Sequence, residues 1–585
     1  MLLGGLGRLE YRGYDSAGVA IISTDLQTRK RAGKLQTLRD ELVANPLDDG
    51  HTGIGHTRWA THGAPNDVNA HPHLADGGKL ALIHNGIIEN FAELKAELVA
   101  EGIEFTSETD SEVAAHMVAR EYHRTANLTE AMRAVVSRLD GAFTLLVVHE
   151  DSPGVVVGAR RNSPLVIGLG KGENFLGSDV AAFVEYTSDA LAIGQDQIVT
   201  ITSDDVSVID FDGNPVQPEP FTVTWDASAA DKGGWPSFMA KEISEEPAAV
   251  ADTIRGRIKN GEVHIEGFEP SDFSDVDRII IIACGTAAYS GLVGKYALEQ
   301  WARIPVDVEL SHEFRYREPV ISNRTLIVSV SQSGETMDTL MAVKYAREVG
   351  ARTLSICNTQ GATIPRESDS VIYTHAGPEV AVASTKAFVA QVTALYLLGI
   401  AIAQANGKGD KKVLAAVVRD LEATPTMLET VLKHGEHIKT LAKWMADTQA
   451  ILLLGRHVGY PIALEGALKL KELAYIHAEG FAAGELKHGP IALIEPGQVV
   501  FVIVPSPRDP QSLHAKVVSN IQEIRARGAR VIAIAEQGDA AVLPYADEVI
   551  PIPLASSFIE PILAVVPLHI FAMELAAAKG LDVDQ

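Results

Sequence analysis

Continuous apolar runs, each leading into a turn and a long helix, are the feature that most constrains the fold of this chain. They lie in its second half, at residues 279–283, 325–330, 353–356 and 371–373, and again at 450–454, 499–504, 531–535 and 548–552. Strands that are apolar at every position are typical of a parallel sheet covered by helices on both faces. The sequence therefore predicts two doubly wound α/β domains.

The first half of the chain has a different pattern of apolar residues. Short β-type runs occur at residues 18–22, 80–83, 143–148, 154–158, 165–168 and 198–201. One amphipathic helix is predicted over residues 89–100, with Phe91, Leu94 and Leu98 at helical spacing. Many strands with a few helices indicate a layered α+β domain.

These patterns divide the chain into three predicted domains and one linker. Periodicity is lost between Trp225 and Pro236, where Gly and Pro interrupt the pattern, as expected of a domain linker. We predict a first domain over residues 1–222, a linker over 223–245 and two parallel-sheet domains over 246–425 and 426–585.

Composition narrows the classes of partner. The formal net charge is −26, and nucleic acids and anionic membranes are bound mainly by clustered basic side chains, so neither is an expected partner. Two cysteines in 585 residues cannot form a disulfide framework, which fits a reducing compartment.

No segment is predicted to cross a membrane. The longest apolar stretches, 388–403 and 562–573, are interrupted by Gln391, Thr393, Pro567 and His569. Both are shorter than the roughly 20 residues that a bilayer requires. The first residues lack the cationic and apolar regions of an export signal. We therefore expect a cytoplasmic protein.

A polar loop at residues 329–336, SVSQSGET, follows an apolar strand and precedes a helix predicted over residues 337–349. Ligands of parallel sheets bind at the carboxyl ends of strands, and a helix amino terminus attracts phosphate. The alternative is an ordinary helix cap by Ser333. A cap explains one such side chain but not four, so a phosphate site is favoured.

Two further loops have the same strand-end position. Residues 282–287 contain Cys284 and Thr286, and a small buried cysteine beside a turn is an equally good explanation of that loop alone. Residues 379–386, EVAVASTK, lead into another helix and are predicted to form a second wall of the same site.

The last domain contains a charged helix and a histidine turn. Glu465, Lys469 and Glu472 share one face at helical spacing, where a solvated stripe of ion pairs is the default interpretation. The segment AGELKHGP places His488 before a Gly-Pro break, a common position for site residues. A glutamate and a histidine brought together could move protons on a sugar, the first between carbons and the second at the ring oxygen.

These motifs resemble the glucosamine-6-phosphate synthase family, the glutamine–fructose-6-phosphate aminotransferases, over essentially the whole chain. SQSGET, VASTKAF, EGALKLKE and AGELKHGP are similar to its two sugar-isomerase (SIS) domains. LEYRGYDSAG, HTRWATHG, HNGIIEN and SETDSEV are similar to its glutaminase domain. The resemblance implies an N-terminal nucleophile hydrolase-like domain with αββα layers, followed by two doubly wound SIS domains.

The resemblance also implies roles for the site residues of the second half. Glu472 would transfer the proton between C1 and C2, His488 would open the sugar ring, and Lys469 would assist. Fructose-6-phosphate would be bound by Thr286, Ser331, Gln332, Ser333, Thr336, Val382 and Ser384.

For the first half, the resemblance implies a glutamine site with an oxyanion hole at Asn85 and Gly86. Arg12 would lie beside the reactive thiol, and Trp59 would gate the passage of ammonia. The other glutamine-binding residues would be Arg58, Thr61, His62 and Asp110. The alternatives are a hairpin turn at Asn85-Gly86 and a helix cap at Asp110.

Two catalytic groups of the family fall outside these 585 residues. Its leading cysteine has no counterpart, since the chain starts with Met1 and its cysteines are Cys284 and Cys357. The tail with the lysine that forms the sugar Schiff base is also outside, because the sequence stops at Gln585. We expect a fragment or mis-started version of a normal synthase, and we expect no glutaminase activity from the sequence as given, because it lacks that cysteine.

The leading functional hypothesis is transfer of ammonia from glutamine to fructose-6-phosphate, giving glucosamine-6-phosphate and glutamate. A phosphohexose isomerase and a non-catalytic hexose-phosphate sensor remain open. An unrelated amidotransferase is disfavoured because no P-loop motif occurs. No metal or cofactor is expected, since imine chemistry needs neither. The resemblance suggests a homodimer formed through the SIS domains.

Overall fold

The computed structural model describes residues 1–10, 13–223, 231–508 and 512–584. These residues form two compact units, Met1–Asp231 and Lys232–Gln585.

The first unit is built from antiparallel sheets and five helices in the described part of the chain. Its helices are α1 (Leu2–Leu9), α2 (Leu35–Ala44), α3 (Phe91–Ala100), α4 (Asp110–Thr125) and α5 (Leu128–Val136). Its strands are β1 (Ser16–Ile22), β2 (Leu26–Ala32), β3 (Thr52–Arg58), β4 (His73–Ala75), β5 (Leu80–Ile88), β6 (Gly141–His149), β7 (Val156–Arg161), β8 (Val166–Leu169), β9 (Asn174–Gly177), β10 (Asp189–Ala192), β11 (Gln197–Ile201), β12 (Val206–Asp210) and β13 (Glu219–Thr222).

Two of its sheets pack face to face between helices. The three-stranded sheet has the order β2-β1-β3 and the six-stranded sheet the order β12-β11-β7-β6-β5-β4, while β13-β10-β8-β9 form a separate sheet. Ile54 and Ile83 fill the space between the first two sheets. Leu6 and Leu38 lie under α1 and α2, and Val118 packs from α4 onto the six-stranded sheet. The predicted αββα layering is confirmed.

The second unit contains two parallel sheets. Its strands are β14 (Ile258–Lys259), β15 (Glu262–Val263), β16 (Arg278–Ala283), β17 (Val306–Leu310), β18 (Thr325–Ser331), β19 (Arg352–Cys357), β20 (Ser370–Tyr373), β21 (Ala450–Gly455), β22 (His477–Ala482), β23 (Val499–Ile503), β24 (Arg530–Glu536) and β25 (Glu548–Ile552). Its helices are α6 (Phe238–Ser244), α7 (Glu246–Ile254), α8 (Gly285–Ala302), α9 (Ser311–Phe314), α10 (Met337–Glu348), α11 (Thr363–Arg366), α12 (Lys386–Asn406), α13 (Lys411–Leu432), α14 (Gly435–Trp444), α15 (Gly459–Ala474), α16 (His514–Arg525) and α17 (Glu560–Ala578).

The two parallel sheets have equivalent topologies. Their strand orders are β17-β16-β18-β19-β20 and β22-β21-β23-β24-β25. Each apolar run predicted as a parallel strand is confirmed. The edge strands β17 and β22 were not predicted, because their half-exposed positions carry polar side chains and break the apolar pattern. Helices α8, α12, α15 and α17 share one continuous core with both sheets.

The length argument against membrane spans was wrong. Helices α12 and α17 are 21 and 19 residues long and are apolar enough to pass a test of length and composition for a membrane span. In both, most of the apolar window is buried inside the fold, 89% and 78% respectively, as expected of core helices.

The predicted linker contains helix α6. Residues 224–230 of the linker lie outside the described residues. The domain boundaries at residues 222, 245 and 425 stay predictions.

Candidate active sites

The loop between β18 and α10 forms a tight polar turn at the carboxyl edge of the first parallel sheet. The Ser331 hydroxyl accepts a hydrogen bond from the Gly334 N–H at 3.0 Å and lies 3.1 Å from the Thr336 hydroxyl. Gly334 has a φ of +66°, and a Cβ there would lie 2.6 Å from the Ala362 side chain. Only glycine therefore fits this turn.

The capping alternative for Ser333 is wrong. Its hydroxyl accepts the N–H of Glu335 at 3.2 Å, ahead of the helix. The N-cap residue of α10 is Thr336, whose side chain makes no capping hydrogen bond. The first N–H groups of this 12-residue helix therefore face the loop without a side-chain cap, as an anion site requires.

The other two predicted loops lie at the same edge of the sheet. Thr286 follows β16 in the first turn of α8 and is buried. The Ser384 hydroxyl donates to Glu379 Oε2 at 2.8 Å, and Glu379 also accepts the Thr385 and Ala387 N–H groups at 2.9 and 3.0 Å. These bonds fix the loop that carries Val382 at the start of α12.

Helix α15 carries a charged triad that is not the solvated stripe of the default interpretation. Glu465 and Lys469 are both 0% exposed. The Lys469 ammonium lies 3.5 Å from Glu465 Oε1 and 2.5 Å from Glu472 Oε2. The side chain of Glu472 is 38% exposed. Lys469 thus joins a buried carboxylate to one that a substrate can reach.

The electrostatics of the triad favour a protonated lysine. Burial alone would lower the pKa of Lys469, but the carboxylates of Glu465 and Glu472 outweigh burial and raise it. Burial raises the pKa of Glu465, and the nearby Lys469 charge opposes that shift. Lys469 therefore keeps its positive charge at neutral pH beside Glu472.

One hydrogen bond joins the two parallel-sheet domains at this site. The Thr286 hydroxyl donates to Glu465 Oε1 at 3.1 Å. By contrast, the exposed His488 lies at the end of a short 3-10 helix. Among the described residues, its imidazole makes no hydrogen bond or ion pair with Glu472 or Lys469. The structure thus joins Thr286 to the triad and does not bring His488 to it.

The predicted glutamine residues lie in the first unit. Arg58, at the end of β3, is buried and donates to the carbonyl groups of His62 and Gly63, the latter at 3.2 Å. These bonds close the loop that contains Thr61. Trp59 is 56% exposed. Arg12 lies outside the described residues.

Both local alternatives for the glutamine site fail. Asn85 and Gly86 lie inside β5, not in a hairpin turn. Gly86 has a φ of +137°, and a Cβ there would lie 2.1 Å from the Ala142 carbonyl oxygen. The cap of α4 is Thr109, whereas Asp110 accepts the Ile88 N–H at 2.8 Å.

A cavity of about 1270 Å³ opens beside these residues. The predicted residues that line it are Arg58, Trp59, Thr61, Asn85, Gly86 and Asp110. His62 is not among them, although its carbonyl oxygen anchors Arg58.

Four histidines that line the same cavity were missed by the sequence analysis, namely His51, His56, His71 and His84. The rings of His56 and His71 lie 4.4 Å apart. Burial, with the neighbouring His84, lowers the pKa of His56 to about 3, and burial lowers that of His71 well below its ordinary value. The sequence could have indicated two of them, because His56 precedes the motif residue Arg58 by two positions and His84 directly precedes Asn85.

The second unit holds two more residues that were missed, Glu246 and His569. Both are fully buried. Glu246 pairs with His569 at 2.6 Å, and His569 lies 4.0 Å from Glu465 Oε1 on its other side. His569 had been noted only as an interruption of an apolar run. Within the described ranges, no group of three or more His, Cys, Asp or Glu side chains is arranged to hold a metal ion.

Comparisons with known proteins find a matching family in each half of the chain. Residues 56–185 match the glutamine amidotransferase domain family, and residues 272–401 and 445–579 match the SIS domain family. The chain is 71% identical to the isomerising glutamine–fructose-6-phosphate aminotransferase of Leifsonia xyli, over 100% of this chain and 96% of that protein. It is 60% identical to the enzyme of the same name from Corynebacterium diphtheriae, over 100% of this chain and 95% of that protein.

Among solved structures, the chain is similar to the C-terminal domain of glucosamine-fructose-6-phosphate aminotransferase from Francisella tularensis. The two share 36% sequence identity with a TM-score of 0.58. The match covers 61% of this chain and 100% of that one.

Proposed function

Because this chain belongs to the isomerising glutamine–fructose-6-phosphate aminotransferases, we propose that it transfers ammonia from glutamine to fructose-6-phosphate and isomerises the adduct. The products are glucosamine-6-phosphate and glutamate. The chain matches nearly the whole length of relatives that have this name, which supports assigning the same reaction to it.

The contact between Thr286 and Glu465 carries the proposal for the sugar site. It links the phosphate-binding edge of the first SIS domain to the charged helix of the second. The phosphate is bound by the uncapped start of α10 and by the hydroxyl and amide side chains of its loop. These are Ser331, Gln332, Ser333 and Thr336, with Thr286, Val382 and Ser384 around the sugar.

Glu472 is the proposed base for proton transfer between C1 and C2. A base must be ionised and within reach of the substrate, and Glu472 is half-exposed beside a protonated Lys469. Ring opening by His488 rests on the motif match alone. Among the described residues, no hydrogen bond or ion pair joins His488 to Glu472.

The glutamine half uses the cavity of the first unit. A buried guanidinium at Arg58 and a carboxylate at Asp110 suit the α-carboxylate and α-amino group of an amino acid. Thr61 and His62 complete the binding loop, and Asn85 with Gly86 provides the oxyanion hole. Trp59 as an ammonia gate and Arg12 beside the thiol follow from the resemblance. We place the enzyme in the cytoplasm as a homodimer.

The test is glucosamine-6-phosphate formation by the full-length protein with the change Glu472→Gln. Loss of a general base lowers kcat by about 10²–10⁴-fold. Affinity for fructose-6-phosphate, measured by calorimetry, should stay within about threefold, because the phosphate contacts remain. The matched control is Glu479→Gln, a half-exposed glutamate on β22, which should keep full activity.

The same assays separate the alternatives. Glucose-6-phosphate as the only product would identify an isomerase. Thermal stabilisation by hexose phosphate without turnover would identify a sensor. Either result with the unaltered full-length protein would overturn the proposal.

A further inference from the structure

A buried asparagine joins the two segments that carry most of the predicted glutamine ligands. Asn69 is 1% exposed, whereas the five residues before it, 64–68, are all exposed. They belong to the loop that follows β3 and contains Thr61 and His62. Among the described residues, Asn69 is not one of those that line the cavity of the first unit. Any effect of Asn69 on glutamine must therefore act through other residues.

The side-chain amide of Asn69 makes hydrogen bonds to both segments. Its Nδ2 donates to the carbonyl oxygen of Ala64 at 3.0 Å and to Glu108 Oε2 at 3.3 Å, and its Oδ1 accepts the Glu108 N–H at 3.0 Å. Ala64 lies in the loop after β3, and Glu108 lies two residues before Asp110, the first residue of α4. One planar amide thus uses its donor on the loop and its acceptor on the segment that leads into α4.

The loop also packs closely against this amide. Gly63 has a φ of +77°, and a Cβ there would lie 2.6 Å from Asn69 Nδ2 and 3.1 Å from the Glu108 side chain. The guanidinium of Arg58 donates to the Gly63 carbonyl oxygen at 3.2 Å. Gly63 therefore connects a predicted glutamine ligand with the bridging amide, and a larger residue at this position would displace one of them.

Asn69 is itself held in place by the backbone around it. Its N–H donates to Asn66 Oδ1 at 2.8 Å, which closes a turn. The ammonium of Lys30, on β2, donates at 2.7 to 3.2 Å to three carbonyl oxygens on either side of Asn69, those of Val68, Ala70 and Pro72. A side chain that fixes other groups must have a locked position of its own, and these bonds provide one.

We propose that Asn69 is a positioning residue for glutamine, which holds the loop after β3 in place relative to Asp110. This inference rests on the glutamine site proposed above. An amino acid that binds to both segments needs its partners held in register, because a shift of about 1 Å in a site can cost about 100-fold in rate. The exposed residues of the loop bury little surface that could hold it, so its hydrogen bonds must fix its place.

A merely structural role for Asn69 gives different results. Loss of a buried, hydrogen-bonded amide lowers stability wherever the amide lies. If Asn69 only stabilises the fold, its replacement lowers the melting temperature and leaves the affinity for glutamine unchanged. If Asn69 positions the loop, the affinity for glutamine falls, while the sugar site in the other unit keeps its affinity for fructose-6-phosphate.

The kinetic test uses Asn69→Ala in the full-length protein. We expect KM for glutamine to rise at least about tenfold, because the displaced loop presents its ligands out of register. The rate at saturating glutamine should change less than about threefold, since Asn85 and Gly86 lie on β5 and not on the loop. The dissociation constant of the product glutamate, measured by calorimetry, should rise by the same factor as KM. An unchanged KM and an unchanged glutamate affinity would overturn the proposal.

The matched control is Asn406→Ala in the second unit. The Asn406 amide has the same bonding pattern, since it donates to the Ala302 carbonyl oxygen at 2.9 Å and accepts the Lys408 N–H at 3.0 Å. This change should lower the melting temperature and leave KM for glutamine unchanged. A rise in KM equal to that of Asn69→Ala would show a general effect of lost stability and would overturn the proposal.

A second variant, Asn69→Asp, keeps the size of the side chain and the acceptor for the Glu108 N–H. It loses the donor and turns carboxylate oxygens toward the Ala64 carbonyl oxygen and the Glu108 carboxylate. KM for glutamine should therefore rise as in Asn69→Ala, and this variant decides the matter if Asn69→Ala does not fold. Calorimetric binding of fructose-6-phosphate identifies a folded second unit. A normal KM in Asn69→Asp would overturn the proposal.

These measurements separate this inference from the proposed function. If the unaltered protein forms glucosamine-6-phosphate and both Asn69 variants bind glutamine normally, only the inference fails. If the unaltered protein forms no glucosamine-6-phosphate but its glutamate affinity falls in Asn69→Ala, the proposed function fails and the role of Asn69 stands.

Discussion

The two parallel sheets of the second unit repeat one topology but place opposite chemistry after corresponding central strands. After β18, Ser331 bonds to a backbone N–H and a hydroxyl. The carboxylate of Glu335 in that loop accepts from the N–H and hydroxyl of Thr363, at 2.7 and 3.0 Å, and makes no bond to Ser331 among the described contacts. After β23, Ser506 donates from its backbone N–H to Glu560 at 2.6 Å and from its hydroxyl to Glu536 at 2.5 Å. Arg508 pairs with Glu536 at 2.8 Å.

The difference separates what topology provides from what side chains decide. Parallel sheets of this kind have a crevice at the carboxyl ends of their strands. In the first domain the crevice is lined by hydroxyl and amide groups, which suit a phosphate. In the second, two carboxylates occupy the equivalent position and would repel one. The second domain contributes instead the charged helix α15.

The largest effect should come from giving the first loop the chemistry of the second. Ser333→Glu places a carboxylate at the start of α10, where it competes with the phosphate for the helix N–H groups and repels it. Like charges in contact cost several kcal/mol, so affinity for fructose-6-phosphate should fall at least about 100-fold by calorimetry. Ser333→Gln, similar in size but neutral, is the control. A Ser333→Glu protein that still binds within threefold of normal would contradict the assignment of this loop.

Sequence patterns predicted the strands of this comparison well and the charged core poorly. Central strands such as β16 and β21 are apolar throughout, so their burial follows from local sequence. The spacing of Glu465 and Lys469 is the same on a solvated helix as in a core. Their burial depends on α8 and α17, which no local pattern reveals.

Long-range pairs were beyond local reasoning for the same reason. His569 meets Glu246 across 323 residues, and neither neighbourhood signals the other. The phosphate loop was predictable because strand, turn and helix follow one another within a few residues. The glutamine residues, in contrast, come from strands β3 and β5, the loop after β3 and the start of α4, and only the family motifs grouped them.

A smaller effect is expected from breaking the second loop. Ser506→Ala leaves the buried Glu536 without its hydroxyl donor, and an unsatisfied buried acceptor costs about 1–3 kcal/mol. Thermal stability should fall, while affinity for fructose-6-phosphate should not change. Ser331→Ala is the matched change in the first loop and should weaken that affinity. Sugar-phosphate affinity that responds equally to both changes would show that the two crevices are not as different as their side chains indicate.

The last effect is a dependence of stability on pH, and it concerns the loop beside the first crevice. Glu242, on α6, accepts the Val380 and Ala381 N–H groups at 2.6 and 3.1 Å. Burial, assisted by the Glu379 charge, raises the pKa of Glu242 from 4.5 to about 8. Between these values the native state keeps a proton that the unfolded state has lost.

The contribution of Glu242 to stability is therefore complete below pH 4.5 and declines as the pH rises through about 8. The slope is at most about 1.4 kcal/mol per pH unit for one group. Glu242→Gln keeps an acceptor for both amides but cannot titrate. Calorimetric melting between about pH 5 and 9 should therefore show that its stability declines less steeply with pH than that of the unaltered protein. Glu348→Gln, an exposed change on α10, should leave the decline as it was. If the stability of Glu242→Gln declines with pH as steeply as that of the unaltered protein, the loop of the first crevice is not held by a protonated carboxyl group. The pH dependence of stability must then come from other residues.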